Sequence, residues 1–127
     1  TIAKSSFFIF IFLDRAFYSS ASSRIYKPFQ FKPAAAIASA RRAGTTASID
    51  VINKYFSIAM MPIVSSTYWN MVHGLTPEDV MQDKEGLQTM RNIGKNMAWM
   101  LQCIACAKQH NIPQPQPDVA DSTNFIH

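Results

Sequence analysis

The chain contains 127 residues, of which 48% are hydrophobic, and its formal net charge is +4. This length predicts one domain with a real core. Residues 1–54 hold eight Lys and Arg against two Asp, whereas residues 55–127 hold four basic against six acidic residues. Because the cations are scattered singly, with Arg41-Arg42 as the longest run and no interleaved aromatic residues, we expect no nucleic-acid binding.

The run at residues 7–13 (Phe-Phe-Ile-Phe-Ile-Phe-Leu) is intensely apolar but far too short to span a bilayer, so we expect no membrane insertion. Asp14 and Arg15 follow it directly, which argues against a signal peptide. Two interpretations stay open for residues 7–18. The alternation of Phe and Ile favours a strand, and the sequence at 13–17 favours a helix.

Pro28 and Pro33 punctuate a Ser-rich and then basic loop at residues 19–32. The apolar run that follows predicts a strand over 33–39, buried on both faces as in a parallel sheet. Residues 39–45 (Ser-Ala-Arg-Arg-Ala-Gly-Thr) are small and basic and contain a glycine. A loop of this kind at the carboxyl end of a parallel strand can face an anionic or planar ligand, although many such turns bind nothing.

A second strand and an intervening helix are predicted next. Thr45 or Thr46 can cap a helix over residues 47–58, whose apolar positions recur at helical spacing. Residues 60–64 (Met-Met-Pro-Ile-Val) predict a buried strand, and residues 67–74 predict the loop that leaves its carboxyl end. Together the two strands and the helix form a βαβ unit.

Two helices follow in the sequence. Residues 76–79 (Thr-Pro-Glu-Asp) indicate a helix start, with proline in the first turn and acids near the positive end of the helix. A long helix is predicted over 84–110 and an extended, Pro-rich tail over 113–127. The apolar stripe of the long helix, which leaves out Trp99 and Met100, consists of Leu87, Met90, Gly94, Met97, Leu101 and Ile104.

Cys103 and Cys106 have the spacing of a redox motif or of half a zinc site. Because they lie late in the long helix and the sequence holds no second pair, we interpret them as half-buried thiols on one helix face and predict no metal site. The low cysteine content predicts a reducing, cytoplasmic location. No catalytic triad or pair of carboxylates is evident.

Several segments resemble NAD(P)H-dependent FMN reductase-like proteins, which are flavodoxin-like flavoproteins related to the iron–sulfur flavoproteins. The similarity covers about residues 12–127. It is carried by residues 12–19 (FLDRAFYS), 31–36 (FKPAAA), 39–46 (SARRAGTT), 53–56 (NKYF), 61–66 (MPIVSS), 68–74 (YWNMVHG), 85–91 (EGLQTMR) and 123–126 (TNFI). The resemblance implies a flavodoxin-like α/β fold with a doubly wound parallel sheet, here represented by its last two strands and their covering helices.

The resemblance also implies a function. FMN would take a hydride from NAD(P)H and pass electrons to a small-molecule or protein acceptor, such as a flavin, a quinone or an iron–sulfur partner, in a homodimer or higher homo-oligomer. Backbone amides at the ring edge would stabilise negative charge on the reduced ring. From the residues alone, solvated arginines, a turn glycine and aromatic packing stay open as alternatives. The implied cofactor-binding residues are Ser39, Ala40, Arg41, Arg42, Gly44, Thr45, Tyr68 and Trp69.

The Gly-Ser-Pro-type loop that holds the FMN phosphate in this family has no counterpart in residues 1–127. We therefore expect an incomplete fold, with residues 1–112 as a partial domain, in a fragment or in the product of a truncated or frame-altered gene. The first predicted strand would then have an open edge unless residues 7–12 or another chain fill it. The alternative function is a non-catalytic fragment that acts in assembly or protein interaction.

Overall fold

The computed structural model describes residues 2–21, 27–118, 121 and 123, of which residues 2–8 are described as backbone only. Within these residues the chain is a mixed α/β structure with a two-stranded parallel sheet and four helices. A parallel α/β architecture is confirmed, and a flavodoxin-like topology stays a prediction. The elements are α1 (Ile2–Ser20), β1 (Ala38–Ala40), α2 (Thr45–Ile58), β2 (Met71–His73), α3 (Pro77–Gln82) and α4 (Lys84–Gln109).

The strand that pairs with β1 is not the predicted one. The apolar run at 60–64 contributes only Ile63, which bridges to Ala34. The ladder is formed instead by residues within the segment 67–74, which the sequence pattern assigns to a loop. An apolar run is not enough to define a strand, because pairing is decided by the register along β1. In that register Ala38 pairs with Met71, Ser39 with Val72, and Ala40 with His73.

Asn70 marks the point where the chain returns to the sheet after leaving it at Ile63. Its side-chain amide donates to the carbonyl of Ala36 at 3.1 Å, and its own carbonyl accepts the Ala38 amide at 3.0 Å. Asn70 is buried, and its Oδ1 has no hydrogen-bond partner among the described residues, so the partners of Nδ2 and of the backbone carbonyl are what hold it in place. A buried polar group left without a partner costs roughly 1–3 kcal/mol. These two bonds therefore determine where β2 begins.

Strand β1 begins and ends later than the sequence pattern predicts. The predicted strand covers residues 33–39, whereas the continuous ladder covers Ala38–Ala40 and Ala34 makes only the isolated bridge. Ser39 and Ala40 are therefore strand residues rather than loop residues. The turn that connects β1 to α2 is limited to residues 41–44.

The residue that starts helix α2 is a glycine. Gly44 is the N-cap residue with a φ of 94°, and no side chain caps the helix. The prediction that Thr45 or Thr46 caps it is wrong, because both residues lie inside the first turn. Thr45 is buried, and its hydroxyl bonds to the sulfur of Met71 at 2.9 Å. This contact ties the start of α2 to β2.

Residues 7–18 are helical and belong to α1. Of the two interpretations that the sequence left open, the helix is confirmed. The expectation that residues 7–12 could extend the sheet as a strand beside β1 is therefore wrong. Ile9 and Phe10 instead line a cavity of about 190 Å³ next to Ser39 and the first half of α2.

An aromatic cluster anchors α1 near its C-terminal end. Phe17, which is 6% exposed, stacks on Phe29 with ring centroids 4.3 Å apart and meets the edge of Tyr55 at 5.5 Å. The Tyr55 hydroxyl donates a hydrogen bond to the Asp14 carboxylate, and this bond raises the pKa of Tyr55. Since Tyr55 lies on α2, the cluster joins the first two helices.

Helices α3 and α4 start where the sequence predicts. The Thr76 hydroxyl accepts the Asp79 amide at 3.3 Å, and the Asp79 carboxylate accepts the Thr76 amide at 3.1 Å, which together form a capping box. Pro77 occupies the first turn of α3, as predicted. The side chain of Asp83 caps α4.

The face of α4 that packs on the sheet differs from the predicted stripe. Gly86, Thr89 and Ile93 are buried, whereas Gly94 and Leu101 of the predicted stripe are exposed. The small size of Gly86 is required by this packing, because a Cβ atom there would lie 2.9 Å from Cγ1 of Val72. The face of α4 that packs on the sheet is therefore the one whose backbone can lie close to β2, and not the one with the largest apolar side chains.

The thiols of Cys103 and Cys106 are free and exposed, so the expectation of half-buried thiols is wrong. After α4 the described residues up to Asp118 form no helix or strand, as predicted for an extended tail. Pro113 and Pro115 line an apolar groove with Phe31 and the last turns of α4. The division into residues 1–112 and 113–127 stays a prediction, and most of residues 119–127 lie outside the described part.

We expect Gly44→Ala to lower the free energy of unfolding by about 1–2 kcal/mol, because the left-handed conformation brings Cβ too close to the following carbonyl. Gly94→Ala is the matched control. Gly94 lies on the exposed side of α4 with nothing within 4 Å of an added Cβ, so alanine should raise the free energy of unfolding by about 0.5–1 kcal/mol. Urea unfolding followed by circular dichroism measures both, and a Gly44→Ala variant as stable as wild type would contradict the cap.

Candidate functional site

A cleft of about 490 Å³ lies at the carboxyl edge of the sheet, where β1 and β2 end side by side. The end of β1 and the turn after it form one wall, and the two residues that follow β2 form the other. Parallel α/β sheets bind ligands at this edge, in the crevice between the loops that leave neighbouring strands. The lining residues are Ser39, Ala40, Arg41, Arg42, Ala43, Gly74 and Leu75.

Four of the eight predicted site residues therefore line one cleft, namely Ser39, Ala40, Arg41 and Arg42. Both arginines are exposed. Gly44 lies at the end of the same turn, as the N-cap of α2. Thr45 does not line the cleft. Its buried hydroxyl instead bonds to the sulfur of Met71 and so supports the turn. Gly74 and Leu75 complete the cleft although the sequence did not single them out.

Backbone amides without hydrogen-bond partners lie in the turn at residues 41–44, beside the cleft. Among the residues that the structure describes, the amides of Arg41, Arg42 and Ala43 donate to no other group. They precede the N-terminus of the 14-residue helix α2, whose first amides have no acceptor within the helix and whose dipole is positive there. Both features favour a ligand that carries carbonyl oxygens or negative charge.

Tyr68 and Trp69 lie apart from this cleft. Their rings pack edge to face with centroids 4.8 Å apart, and the residues are 49% and 59% exposed. Tyr68 borders a second cavity of about 180 Å³ beside β2 and the start of α4. The predicted set is thus divided into a cleft group and an aromatic pair. The remaining lining residues of the second cavity are Met71, His73, Asp83, Glu85, Gly86 and Thr89.

Asp83 links β2 to α4 at this second cavity. Its Oδ1 accepts the Gly86 amide at 2.8 Å, and its Oδ2 accepts the backbone amide of His73 at 2.8 Å. The ring Nδ1 of His73 lies 3.9 Å from the same Oδ2. The hydrogen bond from Gly86, then the one from His73, and to a lesser extent the nearby imidazole, lower the pKa of Asp83.

Asp83 is a site residue that local sequence signals indicate only in part. An aspartate directly before a helical run is a typical N-cap. Its second role, as acceptor for the amide of His73, depends on β2 lying beside the start of α4. No local pattern contains that information.

Across the described ranges, no group of three or more His, Cys, Asp or Glu side chains could hold a metal ion, and no helix is long and apolar enough to cross a membrane. Comparisons with protein-family models, curated proteins and solved structures find no match for this chain. The structure therefore defines the class of molecule as an α/β chain with a polar cleft at the carboxyl edge of a parallel strand pair.

We expect Asp83→Ala to lower the free energy of unfolding at neutral pH by about 1–2 kcal/mol, as removal of an N-cap does. The folded-state pKa of Asp83 lies below its ordinary value of 3.8. Its carboxylate therefore stabilises the fold above that value, and this contribution is lost as the pH falls through the lowered pKa. Denaturant unfolding in neutral and acidic buffers should show the difference between wild type and variant shrinking in acid.

The control for this prediction is Asp50→Ala, which removes an exposed aspartate from α2. It should leave the free energy of unfolding within about 0.5 kcal/mol of wild type. Equal effects of the two substitutions, or a difference between wild type and Asp83→Ala that stays constant with pH, would contradict the role of Asp83.

Proposed function

We propose that the cleft at the carboxyl edge of β1 and β2 binds a flavin ring, and that the chain belongs to an FMN-dependent NAD(P)H oxidoreductase of the flavodoxin-like type. The turn at residues 41–44 carries this proposal, because amides without partners, two arginines and a helix N-terminus meet there. The resemblance of residues 39–46 to FMN reductase-like proteins supports the same location.

The dimensions and chemistry of the cleft are compatible with a flavin ring. Its volume of about 490 Å³ lies within the roughly 300–1,000 Å³ typical of small-molecule sites. Bound FMN would supply the redox chemistry, taking a hydride from NAD(P)H and passing electrons on. The amides of Arg41 and Arg42 can donate to the ring carbonyls and stabilise negative charge there. Their exposed guanidinium groups are available to the phosphates of NAD(P)H.

The proposed contacts reach the ring and not the FMN phosphate. A Gly-Ser-Pro-type loop at a helix N-terminus holds the phosphate in the family that the sequence resembles, and residues 1–127 contain no such loop. Charge-assisted hydrogen bonds contribute about 1.5–3 kcal/mol each, so several of them would change the affinity by many tenfold steps. We therefore expect weak binding that depends little on the phosphate.

The proposed function also includes an electron acceptor, an oligomeric state and a location in the cell. The exposed faces of Tyr68 and Trp69 are available for a flat acceptor, such as a flavin or quinone, or for a protein electron acceptor. We propose a homodimer or higher homo-oligomer, since α4 exposes the large apolar side chains of Trp99 and Leu101. A cytoplasmic location agrees with the two free cysteines.

The second candidate is a non-catalytic chain that acts in assembly. The observation that favours it is the number of large apolar side chains exposed on the helices, including Phe12 and Tyr18 on α1. Flavin uptake separates the two candidates. A colourless protein that takes up no added flavin and elutes as an oligomer would support assembly, whereas a yellow protein supports the oxidoreductase.

Titration of the chain into FMN and into riboflavin, followed by flavin fluorescence, tests the proposed cleft. We expect both flavins to bind with dissociation constants that agree within about tenfold, because the contacts are to the ring they share. Replacing both Arg41 and Arg42 with Ala should weaken NADPH binding more than riboflavin binding, since backbone amides rather than guanidinium groups hold the ring.

The matched control is Arg91→Ala, which removes an exposed arginine from α4 and lies outside the lining of the cleft. It should leave all three affinities unchanged. Binding of neither flavin would exclude the ring site. FMN binding about 100-fold tighter than riboflavin binding would show that the phosphate is held by this chain, and would contradict the proposed contacts.

A further inference from the structure

We propose that Cys103 and Cys106 form a chelating dithiol for a soft, thiophilic metal ion on the outer face of α4. Both thiols are free and exposed. Cysteine is among the residues most often buried in proteins, so two exposed thiols on neighbouring turns of a helix need an explanation. The helix is continuous over Lys84–Gln109, and residues three apart lie on the same face of a helix.

Helix geometry favours a bridging ion over a disulfide. Residues three apart on a helix have Cβ atoms about 5–6 Å apart. A disulfide requires about 3.5–4.5 Å between the Cβ atoms, so it would distort α4. A tetrahedral ion with metal–sulfur bonds of about 2.3 Å holds its two sulfur atoms roughly 4 Å apart. The thiols can reach that separation by rotating toward each other, with no change in the backbone.

His110 orients one of the two thiols. Its Nδ1 lies 2.9 Å from the carbonyl oxygen of Cys106 and 3.6 Å from the Cys106 sulfur. Because a carbonyl only accepts hydrogen bonds, Nδ1 carries the proton, and the same N–H faces the sulfur. We assign His110 a positioning role, because this contact holds the Cys106 side chain. A two-thiol site also agrees with the lack of any three-residue metal cluster among the described side chains.

The binding step needs no oxidant or other co-reactant. Two S–H bonds break, two metal–sulfur bonds form, and both thiol protons leave to solvent. Water completes the coordination of the ion. Soft cations prefer thiolate to carboxylate or water ligands, which selects this site over the surface acids. The C-terminal half of α4 also carries the negative end of the helix dipole, which favours a cation.

Cadmium titration of the reduced, metal-free protein tests the proposal. Trp99 is 64% exposed and lies four residues before Cys103, on the same face of α4, so it serves as a reporter. We expect one Cd²⁺ per chain, a thiolate-to-metal charge-transfer band, quenching of Trp99 fluorescence and release of both thiol protons. Cys103→Ser and Cys106→Ser should each weaken binding about 100-fold, because each leaves a single thiolate. Circular dichroism shows whether each variant remains helical.

His110→Ala should keep the stoichiometry and slow the alkylation of Cys106 by iodoacetamide, with the rate at Cys103 unchanged. Equal changes in the alkylation rates of Cys103 and Cys106 would contradict the positioning role of His110. The chelate itself is overturned if no Cd²⁺ binds, if either single-cysteine variant binds as tightly as wild type, or if one ion binds per two chains. The last result would mean that the thiols join two copies of the chain.

Discussion

The Asp83 carboxylate joins the sheet to the C-terminal helices, and much of the structure depends on it. The amide of His73 points away from β1, at the edge of β2 that no strand covers among the described residues. Asp83 accepts that amide and, with its other oxygen, caps α4. One side chain therefore sets where α4 begins relative to β2 and protects a free strand edge. The close packing of Gly86 against Val72 follows from this placement.

Glycines fix both walls of the carboxyl-edge cleft. On the first wall, Gly44 adopts the left-handed conformation that turns the chain from β1 into α2. On the second wall, Gly74 directly follows β2, and a Cβ atom there would lie 2.6 Å from the backbone nitrogen of Val80 on α3. The backbone at these two glycines therefore shapes the cleft. The proposed flavin ring needs such a shape, because its edge requires amide donors and its faces require room.

The outer face of α4 and the cleft belong to different parts of the molecule. Gly86, Thr89 and Ile93 are the buried residues of α4, whereas Cys103 and Cys106 are exposed and left for other interactions. The proposed flavin site and the proposed metal site can therefore be tested separately. Loss of a thiol should leave the cleft intact, because no contact of Cys103 or Cys106 reaches β1 or β2 in the described structure.

Local signals predicted α2, α3 and α4, left α1 open between helix and strand, and predicted the strand pairing poorly. The capping sequence at Thr76 and the helical spacing in α2 and α4 are properties of a few neighbouring residues, and these helices are present in the structure. The face of α4 that packs on the sheet is not the predicted stripe. The partner of β1 could not be identified in the same way. Residues 60–64 look more like a strand than Met71–His73, but the register through Asn70 selects the latter. The predicted burial of the thiols was wrong for a related reason, because the face of α4 that packs on the sheet is set by the approach of the helix to β2.

The cleft group was predictable because the end of a parallel strand, a basic turn and a helix start follow one another in the sequence. Gly74 and Leu75 were not predictable, since they join the cleft only through the β1–β2 register. Amide chemical shifts of the ¹⁵N-labelled chain during titration with riboflavin test the central claim most directly. The account predicts shifts concentrated at residues 39–44 and 74–75. Shifts confined to the groove of Phe31 and Pro113, or to the cavity beside Tyr68, would contradict it.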